Sequence, residues 1–180
     1  ALYDWKIADD DNKEKIDNKI FKQANELLEE TLLFVKDKLP TEIEKNIEQI
    51  YKIVGNAGLI TNIYGTGRPE SGSEHILAKE IEQHIKIHHG ISVSVSIIIM
   101  SLIQKQPSKE IYDTLLKIGV LNNLEEKGIT REFLFITLKG LKARYDRYSI
   151  VDVYSRDDIF INEILDEFDK IVNGDKNVNN

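Results

Sequence analysis

The apolar residues of this chain recur at steps of three and four along most of its length, and that spacing constrains the fold more than any other feature. Between Lys15 and Leu39 they fall at Ile16, Ile20, Ala24, Leu27, Leu28, Leu32 and Val35, with Lys, Glu and Asp on the opposite face. A residue advances 100° around an α-helix, so this pattern makes one apolar stripe and predicts an amphipathic helix. Pro40 stops it and Thr41 can cap a second helix carrying Ile43, Ile47, Ile50, Tyr51 and Val54, which then meets Gly55 and Gly58. Residues 59–74, LITNIYGTGRPESGSE, change texture to Gly, Pro and small polar residues and are expected to form a structured loop. A helix resumes near Glu74 with Ile76, Leu77, Ile81 and Ile85 on its apolar side.

The stretch 91–103, ISVSVSIIIMSLI, alternates like a strand at its start and then runs on as unbroken apolar sequence. Its neighbours are all helical, and small Ser side chains permit close packing, so a buried helix is the preferred reading. Pro107 fits the first position of a helix reaching Gly119. Thr130 can cap another that buries Phe133, Leu134, Ile136, Thr137, Leu138 and Leu141. Ser155 with Asp158 resembles a capping box opening a last helix through Ile159, Ile161, Ile164, Leu165, Phe168 and Ile171, ending near Gly174. The tail from Gly174 is expected to fray. With no repeat and no linker, residues 1–180 are expected to be a single all-α domain.

Composition narrows the function classes. At 180 residues and 41% hydrophobic, the chain can bury a core without staples, and the absence of Cys excludes a disulfide scaffold or a cysteine metal site. A net charge of −7 argues against a nucleic-acid partner, whose footprint is a basic stripe. No run is long enough for a membrane span and no signal peptide opens the chain, so no membrane partner and a cytoplasmic location are expected.

All four histidines, His75, His84, His88 and His89, lie within fifteen residues. Imidazole is the commonest protein ligand for zinc, although a lone surface His is more often simply solvated. Two geometries compete. His84 and His88 share a helical face, as in HExxH enzymes, but Ile-Lys-Ile stands between them without the Glu base. His75 and His89 follow a Gly-rich loop and precede Gly90, respectively. That loop, Gly65 to His75, could cradle a phosphate, yet it lacks the Lys-Ser/Thr ending of a P-loop, and a plain Gly/Pro turn is as good a reading. Asp9, Asp10 and Asp11 read as a solvated run, and no Ser/His/Asp order suggests a hydrolase.

The strings GTGRPESGSEH, ending in His75, and HHG, His88 to Gly90, resemble the C-terminal metal-binding half of the sn-glycerol-1-phosphate dehydrogenases, and within them the bacterial, arabinose-operon-associated branch. ALYDW (Ala1 to Trp5) is similar to that family's TAxxDW segment, and RYDRYSIVD (Arg144 to Asp152) to its RxRYTILD segment, so the resemblance covers nearly the whole chain. Iron-containing alcohol dehydrogenases, glycerol dehydrogenases and dehydroquinate synthases are more distant relatives.

The resemblance implies an all-helical bundle like the metal-binding C-terminal domain of dehydroquinate synthase-like enzymes. It also implies a partner, the enzyme's own N-terminal nucleotide-binding domain, absent from this chain. It assigns a metal, usually Zn²⁺, to His75 and His89, with an Asp upstream of Ala1 as third ligand. It implies NAD(P), bound mainly by the missing domain, and a small phosphorylated substrate, dihydroxyacetone phosphate, reduced by hydride. No catalytic residue is assigned within the chain, and self-association is possible. Lys79 stands where the family commonly has a substrate-touching His, and the family's HGxxVGxG is HGISVSV here. The implied function is therefore the metal-binding domain of an NAD(P)-dependent glycerol-1-phosphate dehydrogenase-like oxidoreductase, inactive when alone. The alternatives are a degenerate binding or dimerisation module and a related polyol dehydrogenase.

Overall fold

A computed structural model describes residues 1–38 and 44–174. Among them are eight α-helices and no β-sheet, so the all-α expectation holds. The helices are α1 (Leu2–Asp10), α2 (Asn18–Lys38), α3 (Ile47–Tyr64), α4 (Ser73–His84), α5 (His89–Ile103), α6 (Lys109–Lys117), α7 (Arg131–Gly140) and α8 (Asp158–Asn173). None is long and apolar enough to cross a membrane. The chain forms two compact units, Ala1–Gly72 with Tyr145–Ser149, and Ser73–Arg144 with Ile150–Asn180. The Pro40 stop, the Thr41 cap and the frayed tail fall outside the described residues.

The first unit pairs α1 with α2 and α2 with α3. Its buried cluster is Trp5, Ile20, Leu27 and Ile60, with Phe21, Ala24, Ile53, Ala57 and Tyr64 packed around it. Trp5 is fully buried between Phe21 and Tyr64, at ring distances of 5.9 and 4.8 Å, and its indole N–H donates to the Lys15 carbonyl. The sequence reading is corrected at α3, which runs straight through Gly55 and Gly58 and takes residues 59–64 from the expected loop. A helical Gly costs about 1 kcal/mol against Ala, which the rest of this 18-residue helix, with its inward apolar stripe, outweighs. The helix ends instead at Gly65, whose φ of 88° is the left-handed cap that Gly adopts without strain. The true loop is residues 65–72.

The second unit pairs α4 with α5, α5 with α8, α7 with α8 and α4 with α7. The stretch with strand-like alternation is helix α5, as expected, with Ser92, Ser94, Ser96, Val95, Ile98, Ile99, Met100 and Ile103 all buried. Two of the Ser hydroxyls are satisfied within the helix: Ser94 donates to the Gly90 carbonyl at 2.6 Å and Ser96 to that of Ser92 at 2.7 Å. A buried hydroxyl needs such a partner, and the preceding turn supplies one. Leu77, Ile81, Leu134, Leu138, Leu141, Ile161, Leu165 and Phe168 complete the core.

The caps partly follow the sequence. The Thr130 hydroxyl accepts from the Phe133 N–H at 3.1 Å and opens α7. For α6 the cap is Ser108, with Pro107 just before it. For α8 the capping-box reading is corrected: Asp157 is the cap, its carboxylate accepting from the Phe160 N–H at 2.8 Å, while Ser155 donates to Asp157. Ile136 and Ile159, expected in the core, are 63% and 74% exposed. Each lies beside the buried stripe of its helix, where periodicity alone cannot fix the edge.

Candidate metal and substrate site

Two of the four histidines come together in the second unit. His75 sits in the first turn of α4 and His89 is the first residue of α5, with ring centroids 5.6 Å apart. α4 and α5 pack against each other, joined by residues 85–88, and in that packing the two rings meet. Each ring is backed by a carboxylate. His75 Nδ1 lies 2.9 Å from Glu74 Oε1, and His89 Nδ1 lies 2.7 Å from Glu82 Oε1. A carboxylate only accepts, so both rings carry the proton on Nδ1, which leaves Nε2 to meet a ligand.

Glu82 was not foreseen in the sequence. It stands seven residues after His75, so it shares that residue's face two turns along α4, and it receives the Ser92 hydroxyl as well as His89. The Ser92 hydrogen bond, followed by the bond and charge of His89 and the charge of His75, holds its carboxyl below the ordinary Glu value against an opposing effect of burial. Lys79 is exposed one turn from His75 on the same face.

His84 and His88 do not join this pair. His84 Nε2 pairs with Glu80 at 3.3 Å and its ring meets Phe133 edge-on at 6.4 Å, above an open groove lined also by Ile85, Ile136 and Thr137. His88 caps the start of α5 without a side-chain cap bond.

The donor set fits part of a metal site. Two imidazoles on one tetrahedral Zn²⁺, each bonded at about 2 Å, place their ring centres roughly 5 Å apart, close to the separation here. The Nδ1–H to carboxylate bonds are the arrangement that metal-ligating histidines commonly show. A complete set is not present: among the described residues no group of three or more His, Asp or Glu could hold an ion.

The Gly-rich loop lies in the first unit and is occupied by the protein itself. Arg147 donates to the Gly67 and Ser71 carbonyls. Arg68, 1% exposed, donates from Nη2 to the Asp4 carbonyl at 2.9 Å and pairs through Nε with Glu14 at 3.2 Å. That ion pair lacks hydrogen-bond alignment, so Nε and Nη1 are buried without one. Burial pulls the Arg68 guanidinium below its usual value, and Glu14 and Asp4 oppose this. Glu14 also accepts the Tyr64 hydroxyl at 3.0 Å. Gly72 is required by a close approach, because a Cβ there would meet the Ala1 backbone at 2.6 Å. With two carboxylates already beside Arg68, the turn reading of this loop is the better one. In the acidic run, Asp11 accepts the Tyr148 hydroxyl at 2.7 Å and Asp9 the Ile16 N–H at 3.3 Å.

Fold and site together define an all-α protein carrying a carboxylate-backed histidine pair. In sequence the chain is related to the glycerol-1-phosphate dehydrogenases. It is 30% identical over 120 residues to "Glycerol-1-phosphate dehydrogenase [NAD(P)+]" of Korarchaeum cryptofilum, covering 63% of this chain and 38% of that protein. Enzymes of the same name from Methanosarcina mazei and Pyrococcus horikoshii are 27% and 26% identical over 158 residues, covering 84% of this chain and 43% and 44% of theirs. The chain thus spans about two-fifths of the length of these relatives. No protein-family profile matches it.

Proposed function

We propose that this chain is the metal- and substrate-binding helical part of an NAD(P)-dependent glycerol-1-phosphate dehydrogenase-like oxidoreductase that reduces dihydroxyacetone phosphate. The observation that carries this reading is the His75–His89 pair, with both Nδ1 atoms tied to carboxylates, in a chain related to dehydrogenases so named. The two Nε2 atoms serve as neutral ligands to a divalent metal, with a third ligand and the nicotinamide site supplied by sequence outside this chain. A metal bound there supplies Lewis-acid polarisation of a substrate carbonyl. Within the chain, Glu74 and Glu82 hold the imidazoles in one tautomer. Lys79 offers a mobile cation one turn from His75, suited to a phosphate as a point charge. A nicotinamide-linked reduction suits a cytoplasmic setting.

Metal analysis of the full-length protein tests this. His75→Ala and His89→Ala are each expected to lose bound zinc by atomic absorption and to lose turnover of dihydroxyacetone phosphate with NADH or NADPH. Lys79→Ala should keep the metal and raise KM for dihydroxyacetone phosphate about tenfold, the equivalent of one charge-assisted hydrogen bond. Unchanged metal content in both His variants sinks the site. The incomplete ligand set favours one rival, a silent helical binding module, and turnover by the zinc-loaded full-length protein eliminates it.

A further inference from the structure

His89 is poorly held by its own surroundings. It is the first residue of α5, where a helix frays most easily, and its side chain is 58% exposed. An exposed imidazole in that place rotates about two bonds and exchanges its proton between the two ring nitrogens, and both freedoms work against an ion that needs Nε2 in one direction. One group on another helix restrains them. Glu82 Oε1, in the last turn of α4, takes the Nδ1 proton at 2.7 Å. The same oxygen accepts the Ser92 hydroxyl, one turn into α5. Ser92 is fully buried, and its single hydroxyl proton has Glu82 as the charged acceptor, with the His89 carbonyl 2.9 Å away as the other acceptor within reach. His75 does not depend on this arrangement, because Glu74 serves it separately.

We infer that Glu82 is the positioning residue for His89, fixing its tautomer and ring direction, and that Ser92 fixes Glu82 in turn. The inference rests on reading His75 and His89 as metal ligands and adds to it which groups preorganise the weaker of the two. A simple exposed ion pair is the competing account, and such pairs contribute little. The two differ in what Glu82 controls: preorganisation of His89 changes metal affinity and tautomer, whereas a surface pair changes neither.

The test uses full-length metal-free protein, with Zn²⁺ affinity measured by competition against a chromophoric chelator. The His89 ring nitrogens are read by ¹⁵N NMR, assigned through His89→Ala. Loss of an outer-shell partner costs ~10–100-fold in metal affinity, and that range is expected for Glu82→Ala, with His89 moving from the Nδ1–H form toward a mixture. Glu82→Gln retains an accepting carbonyl and should lose less than tenfold, and Ser92→Ala should fall between Gln and wild type. If circular dichroism shows that Glu82→Ala does not fold, the Gln and Ser92 variants carry the test through the same two readouts. Wild-type affinity and an unshifted tautomer in the Glu82 variants, with binding lost in His89→Ala, overturn the inference alone. Full Zn²⁺ affinity in His89→Ala overturns the metal-ligand reading and this inference together.

Discussion

The two units solve the same packing problem with different materials. In the second, Ile136 and Ile159 are exposed but the central helix is spent inside: α5 sits against both α4 and α8 and buries side chains around its circumference. In the first, α3 is also rich in apolar residues, yet Ile47, Tyr51, Val54, Leu59 and Ile63 are each at least half exposed. Its inward stripe, Ile53, Ala57, Ile60 and Tyr64, faces a small cluster around Trp5. Polar chemistry takes up part of the holding there, through Arg68, Glu14, Tyr64 and the Arg147 bonds to the 65–72 loop. A helix's apolar content therefore says less about its burial than the number of neighbours around it, since stabilisation follows area removed from water.

The sharpest way to break that comparison is to truncate one side chain in each setting. Ile98→Ala, at a fully buried position in α5, should destabilise by about 2–5 kcal/mol, the lost transfer free energy plus a cavity. Val54→Ala on α3 starts 63% exposed and should stay within about 0.5 kcal/mol. Urea denaturation followed by circular dichroism reads both. Equal losses at the two positions would show that the exposed face of α3 is covered in solution and would remove the contrast.

Much of this division was visible in the sequence and some was hidden for identifiable reasons. Helix positions follow from the three-and-four spacing, and the Thr130 cap from a hydroxyl placed before an apolar run. The continuation of α3 through Gly55 and Gly58 was hidden because local propensity counts a glycine as a stop, although no neighbour comes within 4 Å of where either Cβ would be. At the site, clustering singled out the histidines, and the pairing of His75 with His89 was one of two spacings left open until the resemblance was considered. Glu82 and Ser92 were hidden because their roles depend on how α4 meets α5, a tertiary fact that no single-helix period contains. The Arg68 knot was hidden likewise: Glu14 and Asp4 are more than fifty residues away in sequence.

An intermediate effect is expected where the first unit relies on polar atoms. Arg68→Met keeps much of the volume but removes the donor to the Asp4 carbonyl and the cation beside Glu14. A buried acceptor left unmet costs about 1–3 kcal/mol, while Glu14, 30% exposed, can turn to water and limits the loss. The wild type also carries buried Arg68 nitrogens without aligned partners, so the net change should fall near the lower end. Fluorescence of Trp5, the chain's one Trp, follows this in denaturant. A stability gain in Arg68→Met would mean that the polar knot opposes folding of the unit rather than supporting it.

The smallest expected effect concerns one proton in the same knot. Tyr64 is pushed up to about 12, first by burial and then by its hydrogen bond to Glu14 and that carboxylate's charge. An unfolded Tyr titrates near ~10. The folded pKa lies above the unfolded one, so the stability this proton contributes is fully present below about pH 10 and is lost as pH rises toward about 12. Ultraviolet titration at high pH, with Tyr64→Phe subtracted to isolate this phenol among seven, should show one late-ionising tyrosine. Glu14→Gln removes the charge while leaving the burial, so it should bring the transition down only part of the way. A Tyr64 that ionises with the ordinary tyrosines would show that water reaches the knot freely, and the first unit would then be held by its small apolar cluster alone.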